Sequence, residues 1–177
     1  MREQIEVLVT EEQLFGRIAE LSAEIGNDYQ RKNPVLVSVL KGSFMFVAHL
    51  MRQLTCNPEI DFIEASSYGA DKVSSGTIRI HKDLSREIRG RHIIIVEDVL
   101  DTGLTLNYLV QSLSVREPKS IEVCALVVKD VKRKGSIIKP KYVGFTLPDV
   151  FIVGFGLDHN ERYRELPYIG YIPDSPA

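Results

Sequence analysis

The residues best suited to chemistry are concentrated between positions 97 and 105, where Glu97, Asp98 and Asp101 are followed by Thr102 and Thr105. Carboxylates can bind sugar hydroxyls or a metal ion, or can transfer a proton. Threonine hydroxyls and free backbone N–H groups bind phosphate. Carboxylates beside a phosphate would repel it unless they had one of those other tasks. Taken alone, however, the same acids could simply cap a strand and a helix.

This acidic segment lies between a predicted strand and a predicted helix. His92–Val96 is the most hydrophobic β-branched run in the chain, and we expect the strand to stop at Glu97 and Asp98. Apolar residues return at helical spacing over 106–113. Open α/β sheets bind ligands at the carboxyl ends of their strands, and a helix start offers unpaired N–H groups. Gly103 would let the backbone approach a phosphate closely.

Alternating apolar runs and amphipathic stretches predict an α/β domain with a mainly parallel sheet. A capping box at residues 10–13 begins the first helix, which Asn33-Pro34 breaks, and Val35–Leu40 is predicted to be a strand buried on both faces. After a tight turn at 41–43, helical spacing resumes. Further strands are expected at residues 60–65, 77–82, 121–128, 142–145 and 150–153, the last two completing the sheet.

Composition bounds the class of protein. The chain has 177 residues, 44% of them hydrophobic and 26% charged, with a net charge of -2, and shows no linker or repeat, so one domain without a nucleic-acid-binding surface is expected. No segment has the roughly 18 apolar residues of a membrane span. Cys56 and Cys124 are not in a paired motif and are expected to be reduced thiols of a cytoplasmic protein. The four histidines lack the spacing of a zinc site.

The pattern acidic-acidic-apolar-apolar-Asp-Thr-Gly-x-Thr, at residues 97–105 after a β-branched strand, resembles the phosphoribosyl pyrophosphate (PRPP) motif of the type I phosphoribosyltransferases. The likeness extends from about residue 10 to 170 and is strongest to the bacterial hypoxanthine(-guanine) group. It implies a twisted, mainly parallel sheet flanked by helices, in one domain spanning residues 1–177. It also implies a small hood from about 1–10 and 147–177, and a flexible lid loop at about 66–80.

The resemblance implies roles for the acidic segment. Glu97 and Asp98 would hold the ribose 2′ and 3′ hydroxyls, and Asp101 would be the catalytic acid/base group facing N7 of a purine. The phosphate loop, defined here as Asp101, Thr102, Gly103, Leu104 and Thr105, would hold the 5′-phosphate. Some relatives have Lys at the position of Leu104, which should matter little if the backbone binds the phosphate.

The resemblance also assigns groups to the pyrophosphate. Lys41 and Gly42 correspond to the pyrophosphate loop, in which the peptide bond before the Lys is cis and turns a backbone N–H toward the leaving group. Without the resemblance this is an ordinary strand-to-helix turn. Arg164 would reach the same pyrophosphate, and Ser67-Tyr68 would belong to a lid that closes over PRPP and excludes water.

Four residues would form the base site by the same resemblance. Lys129 would donate to the purine O6, which suits an oxo group because a Lys ammonium is a donor only. Phe151 would stack on the base, Ile152 would read its edge through the backbone, and Asp158 would help to bind it. Asp158 would also help to place Mg²⁺, together with Glu97 and Asp98. Lys129 and Phe151 could equally be a sheet-rim residue and a core residue.

The function implied is a Mg²⁺-dependent transfer of ribose phosphate from PRPP to hypoxanthine or guanine, yielding IMP or GMP and pyrophosphate in purine salvage. The partners would be these small molecules, not nucleic acid or a membrane, in a cytoplasmic homodimer or homotetramer. Two alternatives stay open. One keeps the PRPP site but accepts xanthine or a pyrimidine, and the other is a nucleotide-sensing, RNA-binding regulator on the same fold.

Overall fold

Two sheets and three helices form the part of the chain that the computed structural model describes, residues 4–67, 78–130 and 138–173. The elements in chain order are β1 Glu6–Val9, α1 Glu11–Asp28, β2 Val35–Leu40, α2 Phe44–Met51, β3 Glu59–Ser67, β4 Ile78–Lys82, β5 His92–Leu100, α3 Leu104–Ser114, β6 Ser120–Lys129, β7 Tyr142–Leu147, β8 Ile152–Val153 and β9 Ile169–Tyr171.

The central sheet has six strands in the order β4-β3-β2-β5-β6-β7, and all its neighbours are parallel except the β3/β4 pair. From β2 the chain builds outward to β3 and β4, then returns to the other side of β2 with β5. The strand order therefore reverses between β2 and β5. At such a switch point the connections leave in opposite directions and open a crevice at the carboxyl ends of the two strands.

Both faces of this sheet are covered, which explains the nearly continuous apolarity of its inner strands. Leu36 of β2 and Ile94 of β5 pack with α1 and α2 on one face. Their neighbours Val37 and Ile95 pack with α3 on the other face. Each such fully buried aliphatic side chain contributes about 1.5–3 kcal/mol to the free energy of unfolding. The predicted mainly parallel α/β sheet is confirmed.

Helix α1 begins as the sequence predicts. The Gln13 backbone N–H donates to Thr10 Oγ1 at 3.3 Å, and the Thr10 N–H donates to Gln13 Oε1 at 2.9 Å, which completes the capping box. The predicted apolar face is buried at Leu14, Ile18, Leu21, Ile25 and Tyr29. The helix ends at Asp28, before the Asn33-Pro34 pair, and Tyr29 is its C-cap.

Two predictions about the strands are wrong, the end of β5 and the sheet that the strand near 150–153 joins. Strand β5 does not stop at the acidic pair but continues to Leu100, because Val99 and Leu100 pair with residues 127 and 128 of the parallel strand β6. The strand near 150–153 does not complete the central sheet. Its observed part, β8, pairs instead with β9 in a separate sheet.

This second sheet, of order β1-β9-β8, is antiparallel and brings residues 6–9 beside 169–171. The turn that follows β8 packs on the turn that follows β2. A Cβ built on Gly156 would lie 2.2 Å from the carbonyl oxygen of Gly42, and Gly156 has φ +98°. Only glycine fits so close an approach with that backbone conformation. The small sheet is thus fastened over the carboxyl edge of the central one.

Cys56 and Cys124 are both buried and form no disulfide. Burial raises the pKa of both thiols, so each stays protonated and unreactive at neutral pH. Among the described ranges no helix is long and apolar enough to cross a membrane.

Candidate active site

A pocket of ≈ 110 Å³ opens at the end of β5, lined by Glu97 and residues 99–106. Gly103 is the N-cap of α3 with φ +75°, and no side chain caps this helix. The first backbone N–H groups of α3 therefore remain available at the pocket, together with the positive end of the helix dipole. Leu104 projects outward, with 55% of its surface exposed. These features suit an anion bound by backbone groups.

The acidic pair, Glu97 and Asp98, lies beside this pocket at the carboxyl edge of the sheet. Glu97 Oε2 is buried and has no hydrogen-bond partner among the described residues. Burial, and then the adjacent Asp98 carboxylate, raise the pKa of Glu97 well above its ordinary value. Burial also raises the pKa of Asp98, although its Oδ1 accepts a 2.8 Å hydrogen bond from the Val99 N–H. Both carboxyl groups therefore lack enough donors or cations to stabilise two negative charges.

The turn after β2 touches this acidic pair. A Cβ built on Gly42 would lie only 1.5 Å from Asp98 Oδ2, so the residue at position 42 must be glycine for the carboxylate to keep its place. The Leu40–Lys41 peptide bond is cis, as the resemblance implies. Below the turn, the buried hydroxyls of Ser38 and Ser43 lie 2.6 Å apart, and Ser43 Oγ donates to the Val39 carbonyl at 2.7 Å.

Arg164 is held at the same edge by several acceptors. Its Nη1 donates to the Gly156 carbonyl at 2.7 Å, and its Nη2 lies 2.9 Å from Asp158 Oδ1 and 3.1 Å from Glu161 Oε2. Glu161 Oε1 in turn lies 3.0 Å from Lys41 Nζ. The structure therefore connects Lys41 with Arg164 and Asp158, predicted site residues of a segment more than 100 residues further along the chain, through one ion-pair network.

The predicted base site lies where β6 ends and β8 begins. Lys129 is 8% exposed, and its Nζ lies 3.2 Å from Asp149 Oδ1. Phe151 immediately precedes β8 and meets the His159 ring edge to face, with centroids 5.1 Å apart. Ile152 is buried and pairs with Tyr171 through its backbone. A fixed cation and a half-buried ring are suitable groups for an oxopurine.

Two parts of the predicted site are not tested by this geometry. Ser67 ends β3, whereas Tyr68 and most of the expected lid, residues 68–77, lie outside the described residues. In the described ranges, no three His, Cys, Asp or Glu side chains converge as a metal cluster. The buried oxygens of Glu97 and Asp98 are nevertheless hard ligands whose charge a divalent cation would stabilise, and Mg²⁺ commonly keeps water and substrate phosphate as its other ligands.

Sequence reasoning missed Glu161, Asp149 and His159. Nothing in the sequence distinguishes Glu161 and Asp149 from other acidic residues. The folded chain places Glu161 beside Lys41 and Arg164, and Asp149 beside Lys129. His159 has no metal-ligand spacing but supports the ring of Phe151. The sequence offered one signal for two of them: His159 and Glu161 lie between Asp158 and Arg164, which were already predicted site residues.

A parallel sheet that carries an anion pocket and buried acids at its switch point is characteristic of proteins that bind nucleotides or sugar phosphates. Comparison with known proteins makes this class specific. A sequence profile of the phosphoribosyl transferase domain matches residues 5–160. The chain belongs to the phosphoribosyltransferase family.

Individual relatives agree with that assignment over nearly the whole chain. The hypoxanthine-guanine phosphoribosyltransferase of Bacillus subtilis (strain 168) is 46% identical over 173 residues, 97% of this chain and 96% of the relative. The hypoxanthine phosphoribosyltransferase of Escherichia coli (strain K12) is 42% identical over 174 residues, 97% of each. A solved hypoxanthine phosphoribosyltransferase from Staphylococcus aureus has a TM-score of 0.90 at 43% identity, covering 94% of this chain and 90% of that one.

Proposed function

We propose that the protein catalyses Mg²⁺-dependent transfer of ribose 5-phosphate from PRPP to hypoxanthine and guanine, forming IMP or GMP and pyrophosphate in purine salvage. One observation carries the proposal: the uncapped start of α3 opens into a pocket beside the half-buried Glu97 and Asp98, where Glu97 Oε2 has no hydrogen-bond partner among the described residues. The free N–H groups of α3 suit the 5′-phosphate of a ligand, and the two carboxylates, which have few hydrogen-bond donors around them, suit the ribose hydroxyls of the same ligand.

In this proposal the phosphate loop binds the 5′-phosphate through backbone N–H groups, and the hydroxyls of Thr102 and Thr105 assist. Ribose hydroxyls donate to Glu97 and Asp98, which supplies the hydrogen bonds that these carboxylates lack. Lys41, the backbone at Gly42, and Arg164 receive the pyrophosphate. The sugar is thereby fixed at both ends, and its C1′ faces the base site.

In the reaction N9 of the purine forms a bond to C1′ of PRPP while the bond from C1′ to the pyrophosphate oxygen breaks, so pyrophosphate leaves with the electron pair. Asp101 accepts the proton from N7 as N9 attacks, which leaves the nucleotide base neutral, and returns it to N7 in the reverse reaction. Lys41 and Arg164 stabilise the charge that develops on the departing group. The protein thus acts mainly by positioning two reactants and neutralising charge.

The preference for an oxopurine is assigned to Lys129. Its buried ammonium can donate to O6 but cannot accept from the 6-amino group of adenine, which would leave two donors facing each other. Phe151 stacks on the base, the backbone of Ile152 reads its edge, and Asp158 lies where the base and pyrophosphate regions meet. Mg²⁺ held by oxygens of Glu97, Asp98 and Asp158 would supply positive charge for the leaving pyrophosphate.

The deciding experiment measures pyrophosphate release from PRPP with a panel of hypoxanthine, guanine, xanthine, adenine, uracil and no base, with Mg²⁺ and with EDTA. We expect turnover with hypoxanthine and guanine only, and loss of turnover in EDTA. Preferred use of xanthine or uracil would show that the protein is a phosphoribosyltransferase for a different base. Absence of turnover, combined with salt-sensitive RNA retention on a filter, would favour the regulator.

We further propose that residues 1–177 act as a single domain, with the hood formed by about 1–10 and 147–177 around the small sheet. We propose a homodimer or homotetramer in the cytoplasm whose ligands are small molecules. Light scattering coupled to gel filtration tests the subunit number, and a monomeric mass at assay concentration would contradict it.

A further inference from the structure

Glu161 connects the two cations assigned to the pyrophosphate. Its Oε1 lies 3.0 Å from Lys41 Nζ, and its Oε2 lies 3.1 Å from Arg164 Nη2. One carboxylate thus offers one oxygen to each cation, as a single phosphoryl group would.

The backbone at this position is unusual for glutamate. His159 and Arg162 exchange two backbone hydrogen bonds, of 3.0 and 3.1 Å, around Asn160 and Glu161. These two central residues have φ values of +53° and +61°, the signs of a type I′ turn. Glycine is strongly preferred at the second central position. A glutamate at this position therefore carries a conformational cost that a glycine would avoid.

We propose that Glu161 is a positioning residue that occupies the pyrophosphate subsite while this subsite is free, and thereby lowers the affinity for pyrophosphate and PRPP and assists product release. The inference rests on the proposed function. A pyrophosphate that takes up Lys41 and Arg164 must remove Glu161 from both, because two anionic groups cannot share these cations without repulsion.

The surroundings allow this exchange without a change of fold. Glu161 has 65% of its side chain exposed, so the carboxylate can rotate into solvent. Arg164, with 20% exposed, keeps its contacts to Asp158 and the Gly156 carbonyl when Glu161 leaves. The N–H of Glu161 donates to Asp158 Oδ2 at 2.8 Å, which fixes the turn backbone during the exchange. The guanidinium therefore stays in place for the incoming phosphate.

The test compares Glu161→Gln and Glu161→Gly with a matched control. Gln keeps the length of the side chain without its charge, and Gly suits the turn backbone. Glu165→Gln makes the same charge change on the same segment, at an exposed residue with no ion pair to any described residue. Calorimetry measures pyrophosphate binding with Mg²⁺ present, and steady-state kinetics give separate KM values for PRPP and hypoxanthine.

We expect both Glu161 variants to bind pyrophosphate about two- to fivefold more tightly, which corresponds to the upper part of the range for one exposed ion pair, and to lower the KM for PRPP similarly. The KM for hypoxanthine should not change, and Glu165→Gln should match the wild type. Unchanged or weaker pyrophosphate binding in either Glu161 variant, or an equal effect in Glu165→Gln, would overturn the inference. Normal IMP formation in the wild type alongside such a result leaves the proposed function intact, whereas wild-type protein that forms no IMP and binds no pyrophosphate removes both.

Discussion

At the scale of single residues, the site combines exposed polar side chains with carboxyl groups that are poorly solvated. Asp101 and Thr102 are exposed beside the pocket, where a ligand can reach them. Glu97 and Asp98, near the carboxyl end of β5, have carboxyl groups whose negative charge the protein alone does not stabilise. Stability would favour neutral groups there, so the acids are explained by what they bind.

Replacing Asp101 with Asn tests proton transfer at N7. The amide keeps the shape of the carboxylate but cannot take up a proton, so we expect kcat to fall by about 10²–10⁴-fold. Because the backbone of the phosphate loop is retained, the Kd for PRPP measured by calorimetry should stay within a few-fold of wild type. Wild-type turnover in this variant would remove Asp101 from the catalytic role.

Replacing Glu97 with Gln should stabilise the protein and weaken its binding of PRPP. The pKa of Glu97 is raised in the folded state, so the folded protein binds more protons than the unfolded chain between the two pKa values. Wild-type stability is therefore lost as pH rises from the ordinary Glu pKa through the raised value. Gln is free of this penalty, so its free energy of unfolding should exceed that of the wild type more at pH 8 than at pH 5.

Urea denaturation at both pH values measures that difference, with Glu165→Gln as an exposed control. A constant gap between pH 5 and pH 8 would show that the ionisation of Glu97 does not affect folding. Calorimetry with PRPP on the same samples should show weaker binding, because the amide of Gln replaces one acceptor oxygen by a donor.

At the scale of elements, the site depends on how closely the turn after β2 approaches the end of β5. Gly42 touches Asp98, and Gly156 of the turn after β8 touches Gly42. Each contact requires the absence of a Cβ. The two turns and the end of β5 therefore fix one another, and the carboxyl edge of the sheet is set by backbone packing as much as by side chains.

Replacing Gly42 with Ala tests this contact. The new Cβ would lie 1.5 Å from Asp98 Oδ2, so the carboxylate or the turn must shift. A displacement of about 1 Å in a site that acts by positioning costs roughly 10²-fold, and we expect kcat/KM for PRPP to fall by that factor. Full activity would mean that Asp98 can move without consequence.

Gly16→Ala is the matched control, because a Cβ at Gly16 in α1 meets no atom within 4 Å. The same chemical change in an exposed helix interior should leave the kinetics unchanged and raise the free energy of unfolding by about 0.5–1 kcal/mol. Thermal melts and steady-state assays of the two variants in parallel separate the effect of the contact from the effect of losing a glycine.

At the scale of the whole molecule, a ligand that connects both sheets should stabilise the fold. IMP would contact the phosphate loop of the central sheet and, at Phe151 and Ile152, the edge of the small sheet. At about 100 times its Kd, a ligand specific for the native state adds roughly 2.7 kcal/mol, which for a chain of this size raises the Tm by about 5–10 °C.

Differential scanning fluorimetry with IMP, GMP and AMP measures this effect. We expect the full shift with IMP and GMP and a smaller one with AMP, whose 6-amino group faces the Lys129 ammonium. Equal shifts for all three nucleotides would remove Lys129 from base selection, and the absence of any shift would contradict the phosphate pocket.

Most elements and the main motif could be predicted from the sequence, because both depend on local patterns. Period and β-branching located β2, β3, β5 and β6 to within a few residues, the capping box located α1, and the pattern at 97–105 identified the family. The continuation of β5 past its acids could not be predicted, since the pairing of Val99 and Leu100 depends on the neighbouring strand β6. The same holds for the pairing of 152–153 in a second sheet and for the position of Glu161 between Lys41 and Arg164. Contacts between residues distant in the chain carry no local period, so they become visible only when the folded chain brings their partners together.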